Sequence, residues 1–254
     1  MSGDQIQVRN CTEVEEFRAC VALQKEVWGF DDIDLVPLRI FSLGPKIGGQ
    51  AIGAWDGETL AGYAFSIPGM RGGHAYLHSH MLAVKAQYRN SGVGRRLKLF
   101  QREDAIARGY DLIEWTFDPL EIKNAYLNLE RLGAIVRRYN INQYGISPSP
   151  LWGDLPTDRL VAEWWLKSKR VEWLLTRGEL PPFKEEMRIE VPTEIYEWKA
   201  QPETRQKAAD LQLRNREQFL KAFSQGLACL RYGRDDNGDG VFVLGRWDEE
   251  ATSS

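Results

Sequence analysis

Apolar positions along this chain recur at two periods, alternation and helical spacing, and the switches between them mark its elements. Residues 5 to 9, "QIQVR", alternate and predict a short strand. In "CTEVEEFRACVALQKEVWG" the residues Val14, Phe17, Val21, Leu23 and Val27 give a helix its apolar side. Thr12 is placed as its N-cap, with Glu15 three residues later completing a capping box. "QAIGAWDGETLAGYAFSI" reads as a β-hairpin, because two apolar runs flank Asp56-Gly57, a dipeptide that tolerates the positive φ of tight turns. A strand through "HAYLHSHMLAV" follows, with Ala75, Leu77, Ser79 and Met81 on one face and His74, Tyr76, His78 and His80 on the other. One face belongs to a core and the other is wet.

From about Gly92 to Arg108 the spacing returns to helical, with Val93, Leu97, Phe100 and Ala107 on one stripe and Gly109 placed to end it. "YDLIEWTFDP" is a strand stopped by Pro119, "EIKNAYLNLERLG" a helix ended by Gly133, and "AIVRRYNINQYGI" a returning strand. The order strand, helix, hairpin, strand, helix, strand, helix, strand predicts a mixed α/β fold built in layers. "SPSPLWGDLPTD" concentrates Pro, Ser and Gly and is the expected boundary. Beyond it "RLVAEWWL" and "RIEVP" read as strands, "ETRQKAADLQLRNREQFLKAFSQG" as a long polar helix and "GLACLRYGRDDNGDGVFVLGRW" as a hairpin. The expected organisation is a core over residues 1–146, a connection over 147–158, and a C-terminal α/β extension over 159–254.

Composition narrows the classes. With 43% hydrophobic and 27% charged residues the chain is an ordinary globular protein, which excludes disorder. A net charge of -3 and a pI near 5.8 supply no general basic field, so neither nucleic acid nor a membrane surface is an expected partner, and any anion site must be local. Cys11, Cys20 and Cys229 are odd in number and far apart, which fits a reducing compartment and a cytoplasmic protein rather than a disulfide framework. The opening "MSGDQIQVRN" has no apolar signal core, and no run reaches about 18 apolar residues, so neither export nor insertion is expected.

The chemistry concentrates in residues 74–96, "HAYLHSHMLAVKAQYRNSGVGRR", which hold all three histidines and then a glycine pair flanked by arginines. A strand that opens into a helix at Gly92 aims several backbone N–H groups at one point, where the helix dipole favours negative charge. Gly92 and Gly94 let a phosphate approach the main chain, and Arg89, Arg95 and Arg96 supply charge. The alternative is a tight turn with solvated arginines. No Gly-Lys-Ser/Thr run is present for a P-loop, and Leu97 stands where a dinucleotide fingerprint needs its third glycine.

The stretch resembles the GCN5-related N-acetyltransferase superfamily, whose acyl-CoA signature is Gln/Arg-x-x-Gly-x-Gly/Ala at the end of the fourth strand; Arg89, Gly92 and Gly94 match it. The surrounding "LAVKAQYRNSGVGRRL", with Val84 and Tyr88, and the order of elements extend the resemblance over roughly residues 5 to 146. It implies a GNAT-like acyl-CoA-binding fold and an acyltransferase that passes an acyl group, by default from acetyl-CoA, to a small-molecule or peptide amine by direct attack, without a metal. The pantetheine arm would lie where the fourth and fifth strands splay, the acyl group beside Leu82, Ala83 and Val84, and the pyrophosphate on Arg89, Asn90, Ser91, Gly92, Val93, Gly94 and Arg95. Asn124 is carried as a further cofactor contact. Where the family often places an Asn and an acid Tyr, counting back from Gly133 gives Ile122 and Leu129. The general acid is therefore Tyr139, Tyr144 or absent, and a non-catalytic acyl-CoA sensor is the competing class.

His78 and His80 are the candidate bases, lying nearer the acyl segment than His74, and Asp118 at a strand's end is a candidate for orienting the amine. The alternatives are structural hydrogen bonding, a metal triad of His74, His78 and His80, and, for Asp118, a helix cap. Asn124 and Asn128, one turn apart, face the cleft or are surface amides. "DDNGDG" imitates a calcium loop, but position twelve is Arg246, so a polar hairpin turn is expected. "AEWWLKSKRVEW" reads as packing with solvated charges rather than a nucleic-acid platform. A homodimer is left open.

Overall fold

The structure, a computed structural model, describes residues 6–145 and 155–247. They form two compact units divided between Trp115 and Thr116. Of the connection expected at 147–158, most, residues 147–154, lies outside the described residues.

Unit one runs through β1 (Gln7–Asn10), α1 (Val14–Trp28), α2 (Leu38–Leu43), β2 (Gln50–Asp56), β3 (Thr59–Arg71), β4 (His74–Val84), α3 (Val93–Ala107) and the start of β5 (Leu112–Phe117). β1 to β4 pair antiparallel in sequence order, and β5 lies parallel beside β4. A parallel neighbour needs a crossover, and α3 supplies it. The β2–β3 hairpin forms as predicted, with Gly57 alone taking a positive φ of 57°. The cap of α1 sits one residue later than Thr12: Glu13 is the N-cap, and the Glu16 carboxylate accepts the N–H groups of Thr12 (2.7 Å) and Glu13 (3.1 Å). That shift leaves Glu16 within reach of Arg9 (2.5 Å), so one carboxylate serves both the helix start and β1.

Two cores line the strands of this unit. Phe17, Cys20 and Leu23 of α1 and Phe41 of α2 pack with Tyr63, Phe65, Met81 and Ala83. Val93 and Leu97 of α3 pack with Ile52, Ala54, Ala61 and Ala64, where small side chains let the helix lie close. Each large apolar side chain so buried contributes about 1.5–3 kcal/mol. The buried stripe of α3 differs from the apolar one predicted: Lys98 and Gln101 are buried on it, while Ala107 is exposed. Cys11 and Cys20 are buried side by side, and Cys229 is buried in unit two.

Unit two continues with α4 (Ile122–Tyr126), β6 (Ile135–Asn140), β7 (Arg159–Trp165), α5 (Lys169–Arg177), β8 (Met187–Val191), α6 (Ile195–Ala200), α7 (Arg205–Ser224), β9 (Leu227–Arg234) and β10 (Gly240–Arg246). Its strands lie in the order β7-β6-β9-β10-β8, antiparallel where registers are recorded. The predicted helix at 121–132 is α4 followed by a π-helical turn, Leu127–Arg131. The end of "AEWWLKSKRVEW", read from sequence as packing with solvated charges, opens α5, capped by the Ser168 hydroxyl accepting from the Val171 N–H. Asp235 accepts the N–H groups of Asn237 and Asp239 (both 2.9 Å), so "DDNGDG" is the polar hairpin turn expected. No helix among the described residues is long and apolar enough to cross a membrane.

Candidate functional site

The centre of unit one is the place where β4 leaves β5. Their recorded register is short, Leu77 opposite Ile113 and His78 opposite Glu114, and β4 runs on to Val84. Two residues later β4 also changes its register with β3: Phe65 faces Met81 but Ser66 faces Ser79, leaving His80 as the extra residue of a bulge. The alternation read from sequence fails here. Ser79 accepts a hydrogen bond from Lys98 on the α3 side, whereas Met81 packs with the α1–α2 core, so the two lie on opposite faces rather than one. An inserted residue reverses the side-chain parity on either side of it.

The imidazoles of His78 and His80 lie 6.1 Å apart, centroid to centroid. Desolvation by the surrounding protein pushes the His80 pKa below the ordinary histidine value, although the residue is exposed at the surface. His80 is therefore held neutral near pH 7, the form able to accept a proton. His74 is drawn away to Asp111 (2.9 Å). Among the described residues no three His, Cys, Asp or Glu side chains gather as a metal site.

Beside His78, the Glu114 carboxylate is buried and gripped in two-pronged fashion by Arg71, whose Nη1 donates at 2.9 Å. Sequence reading overlooked both. Glu114 lies within an apolar strand and Arg71 at the far end of β3, and only the β3-β4-β5 register brings them together.

At the other end of β4 the chain turns through a short 3-10 segment, Ala86–Tyr88, into α3. Asn90 (φ 60°) and Gly92 (φ 84°) adopt left-handed backbone to make this turn. The first helical bond there is Arg96 N–H to Gly92 C=O (3.0 Å), so the amides of Val93 and Gly94 lie ahead of the first helical hydrogen bond, at the helix start. A Cβ on Gly92 would meet nothing within 4 Å, and one on Gly94 only Val84 Cγ2 at 3.8 Å. That is open space against the main chain, as a phosphate requires. The Tyr88 hydroxyl donates to Asp56 (2.8 Å) and Ser91 Oγ to Tyr88 C=O (2.6 Å), fixing the turn to the hairpin. Arg89 is exposed and its Nε donates to Val84 C=O (3.1 Å), which places its charge over the strand end. Arg95 sits partly buried in the first helical turn, and Arg96 donates to Ile6 C=O, which turns its charge toward β1. Ala83 is buried in the α1–α2 core, while Leu82 and Val84 are half-buried on the α3 side.

In unit two, both Asp118 oxygens have structural partners: Oδ1 accepts the Leu120 N–H (2.8 Å) and Oδ2 the Lys199 ammonium (3.0 Å). Asn124 is exposed, whereas Asn128 is buried in the π turn, so the pair does not share one face. Leu129, at the family's Tyr position, is fully buried. Tyr139 donates to Asp158 (2.7 Å), and burial with that carboxylate pushes its pKa up. The Tyr144 hydroxyl is 3.3 Å from Thr116 Oγ1, on a ring that is half exposed.

No protein-family model matches the sequence, and no curated protein matches it. Solved structures do. An aminoglycoside 6'-acetyltransferase type Ii superposes with a TM-score of 0.51 at 18% identity, covering 63% of this chain and 97% of that one. A GNAT-family acetyltransferase from Streptococcus pneumoniae gives 0.50 at 16% identity, covering 62% and 98%. The fold is that of the GNAT acetyltransferases. Within the GNAT fold, the strand divergence at His78 and the glycine turn at Arg89–Gly94 are the two features that the sequence resemblance assigned to the acyl arm and the pyrophosphate.

Proposed function

We propose that this protein is an acyl-CoA-dependent N-acyltransferase, with acetyl-CoA as donor and a small-molecule or peptide amine as acceptor. The observation that carries the reading is a conjunction on one strand. β4 parts from β5 after His78, and the same strand ends in a turn whose amides and two glycines leave room against the backbone. The amides of residues 89–95 and the Arg89 guanidinium would hold the pyrophosphate, and the parted stretch of β4 from Leu82 to Val84 would flank the acyl arm. Main-chain N–H groups of β4 would polarise the thioester carbonyl as the amine nitrogen attacks its carbon. His80, held neutral, or His78 takes the proton from the amine; an amide forms, the C–S bond breaks and the CoA thiol departs.

Asp118, whose two oxygens are taken by the Leu120 N–H and the Lys199 ammonium, is given no part in orienting the amine in this reading. Tyr139 is committed to Asp158, so the thiolate's proton is returned in this reading by the histidine that took it from the amine. The second reading, a CoA binder without turnover, is motivated by the buried Leu129. Calorimetry with CoA and thiol release from acetyl-CoA across a panel of amines separate them. Binding with amine-dependent release supports the enzyme, binding without release on any amine supports the sensor, and absence of binding rejects both.

A further inference from the structure

Beneath the bulge lies a circuit of buried polar groups, bridged at Ser66 and Ser79 by strand register alone, that neither catalysis nor packing has so far required. Lys98 Nζ donates to Ser79 Oγ (3.1 Å) and to Gln101 Oε1 (2.7 Å), and lies 3.8 Å from the centre of the Trp115 ring. Ser79 is paired in register with Ser66, whose hydroxyl donates to Gln50 Oε1 (2.8 Å). Gln50 Nε2 returns to α3, donating to Gln101 C=O (3.0 Å) and Asp104 Oδ2 (2.8 Å). Gln50, Ser66 and Gln101 are wholly buried, and Lys98 and Ser79 nearly so. The circuit thus ties β2, β3 and β4 to α3 on one side of His80, the residue that the bulge inserts.

Stability does not account for it. An amine taken out of water costs free energy that an apolar side chain of similar volume would not, and burial pushes the Lys98 pKa well below the ordinary lysine range. Gln101 Nε2 has no hydrogen-bond partner among the described residues, so the circuit is not even fully satisfied. What an amine supplies that a methionine would not is direction: one N–H donated to Ser79 and another to Gln101, which anchors the amine on α3. A tether on the residue before a bulge opposes a slip of that bulge along its strand, which a side chain without donors would not.

We propose that Lys98 is a positioning residue, which through Ser79 pins β4 immediately before the His80 bulge and thereby aims the main-chain N–H groups of that strand at the acyl carbonyl. The proposal rests on the acyltransferase reading. It predicts a separation between binding and chemistry, because the glycine turn that holds phosphate lies at the start of α3 and the tether more than a turn further along. Misplacement by about 1 Å at a reacting centre costs on the order of 10²-fold in rate.

The test uses the full chain with Lys98→Met, which keeps volume and removes the donors, and Ser79→Ala, which removes the acceptor. Carbonyl-labelled acetyl-CoA bound to each protein is read by infrared spectroscopy, alongside kcat on the best amine and calorimetry with CoA. The parent should shift the thioester carbonyl band to lower frequency. Both variants should lose most of that shift and about 10- to 100-fold in kcat, with the CoA dissociation constant within about twofold of the parent. The double variant should be no worse than Lys98→Met, because both changes cut one tether. A folded Lys98→Met protein with the parent's band and kcat overturns the proposal, as does a parallel loss of kcat, CoA affinity and Tm, which marks a purely structural lysine. If Lys98→Met does not fold, Ser79→Ala decides between the same outcomes on its own. A parent that binds no CoA rejects the acyltransferase reading itself and the proposal with it; a parent that binds and shifts the band while the variants match it rejects the proposal alone.

Discussion

Replacing Gly94 by alanine should move stability and CoA affinity in opposite directions. Gly94 is the second residue of α3, and its added Cβ would touch only Val84 Cγ2, at an ordinary 3.8 Å. The free protein therefore accommodates the methyl group without strain. Alanine is favoured over glycine in helices by about 0.8–1.0 kcal/mol, less in the first turn, so Tm should hold or rise by no more than roughly 2–4 °C. The same Cβ would face Val84 at the end of β4, in the space that the proposed function gives to a pyrophosphate on the amides of Val93 and Gly94. Losing one or two charge-assisted N–H bonds there costs about 1.5–3 kcal/mol, an increase of about 10- to 150-fold in the CoA dissociation constant. Gly92→Ala is the contrasting control. Its φ of 84° is unfavourable to any side chain, so this variant should lose about 1–2 kcal/mol of stability whatever it does to binding. Differential scanning calorimetry and isothermal titration with CoA give both quantities on the same samples. A Gly94→Ala protein with parental Tm and parental CoA affinity would refute the assignment of this turn to phosphate.

Arg89→Ala should raise the CoA dissociation constant about tenfold at low salt, with the gap to the parent narrowing as salt rises; equal affinities at low salt would leave Arg89 a surface charge. Because His80 is protonated less readily in the folded protein, acyl transfer should fall as pH drops through a midpoint below about 6.5, and His80→Gln should abolish that step and cost about 10²-fold in turnover. The sign carries over to folding: the unfolded chain binds this proton first, so stability linked to His80 is present above about pH 6.5 and declines below it. In unit two, Asp158 is fully buried and accepts from Tyr139, the Asn142 N–H and both prongs of Arg216, so Asp158→Ala should cost about 3–5 kcal/mol in urea unfolding; a loss under about 1 kcal/mol would show that the group is solvated.

What sequence disclosed and what it hid divide along a physical line. The turn at Asn90–Gly92 and the hairpin at Gly57 were legible because backbone that needs positive φ leaves its mark in the residues themselves. The bulge at His80 left none, since it is a mismatch between two strands, and strict alternation therefore assigned Ser79 and Met81 to one face. Lys98 escaped for a related reason. A lysine on an amphipathic helix is normally read as solvated, whereas here Ser79, Gln101 and Trp115, drawn from β4, α3 and β5, surround a buried amine. The 3.6-residue period likewise placed Asn124 and Asn128 together, but the wider π turn that starts at Leu127 rotates Asn128 inward.

The three cysteines, all buried, bear on how such a protein is assayed. A thiol held inside a folded core reacts slowly with disulfide reagents, and the neighbouring Cys11 thiol together with burial raises the Cys20 pKa, depleting the thiolate that would react. A chromogenic disulfide added to the native protein should therefore register almost no protein sulfur, leaving a low baseline for the assay of CoA release that tests the proposed function. The same reagent doubles as a monitor of integrity: a slow rise toward three equivalents per chain, without acetyl-CoA present, times the opening of the core rather than any turnover.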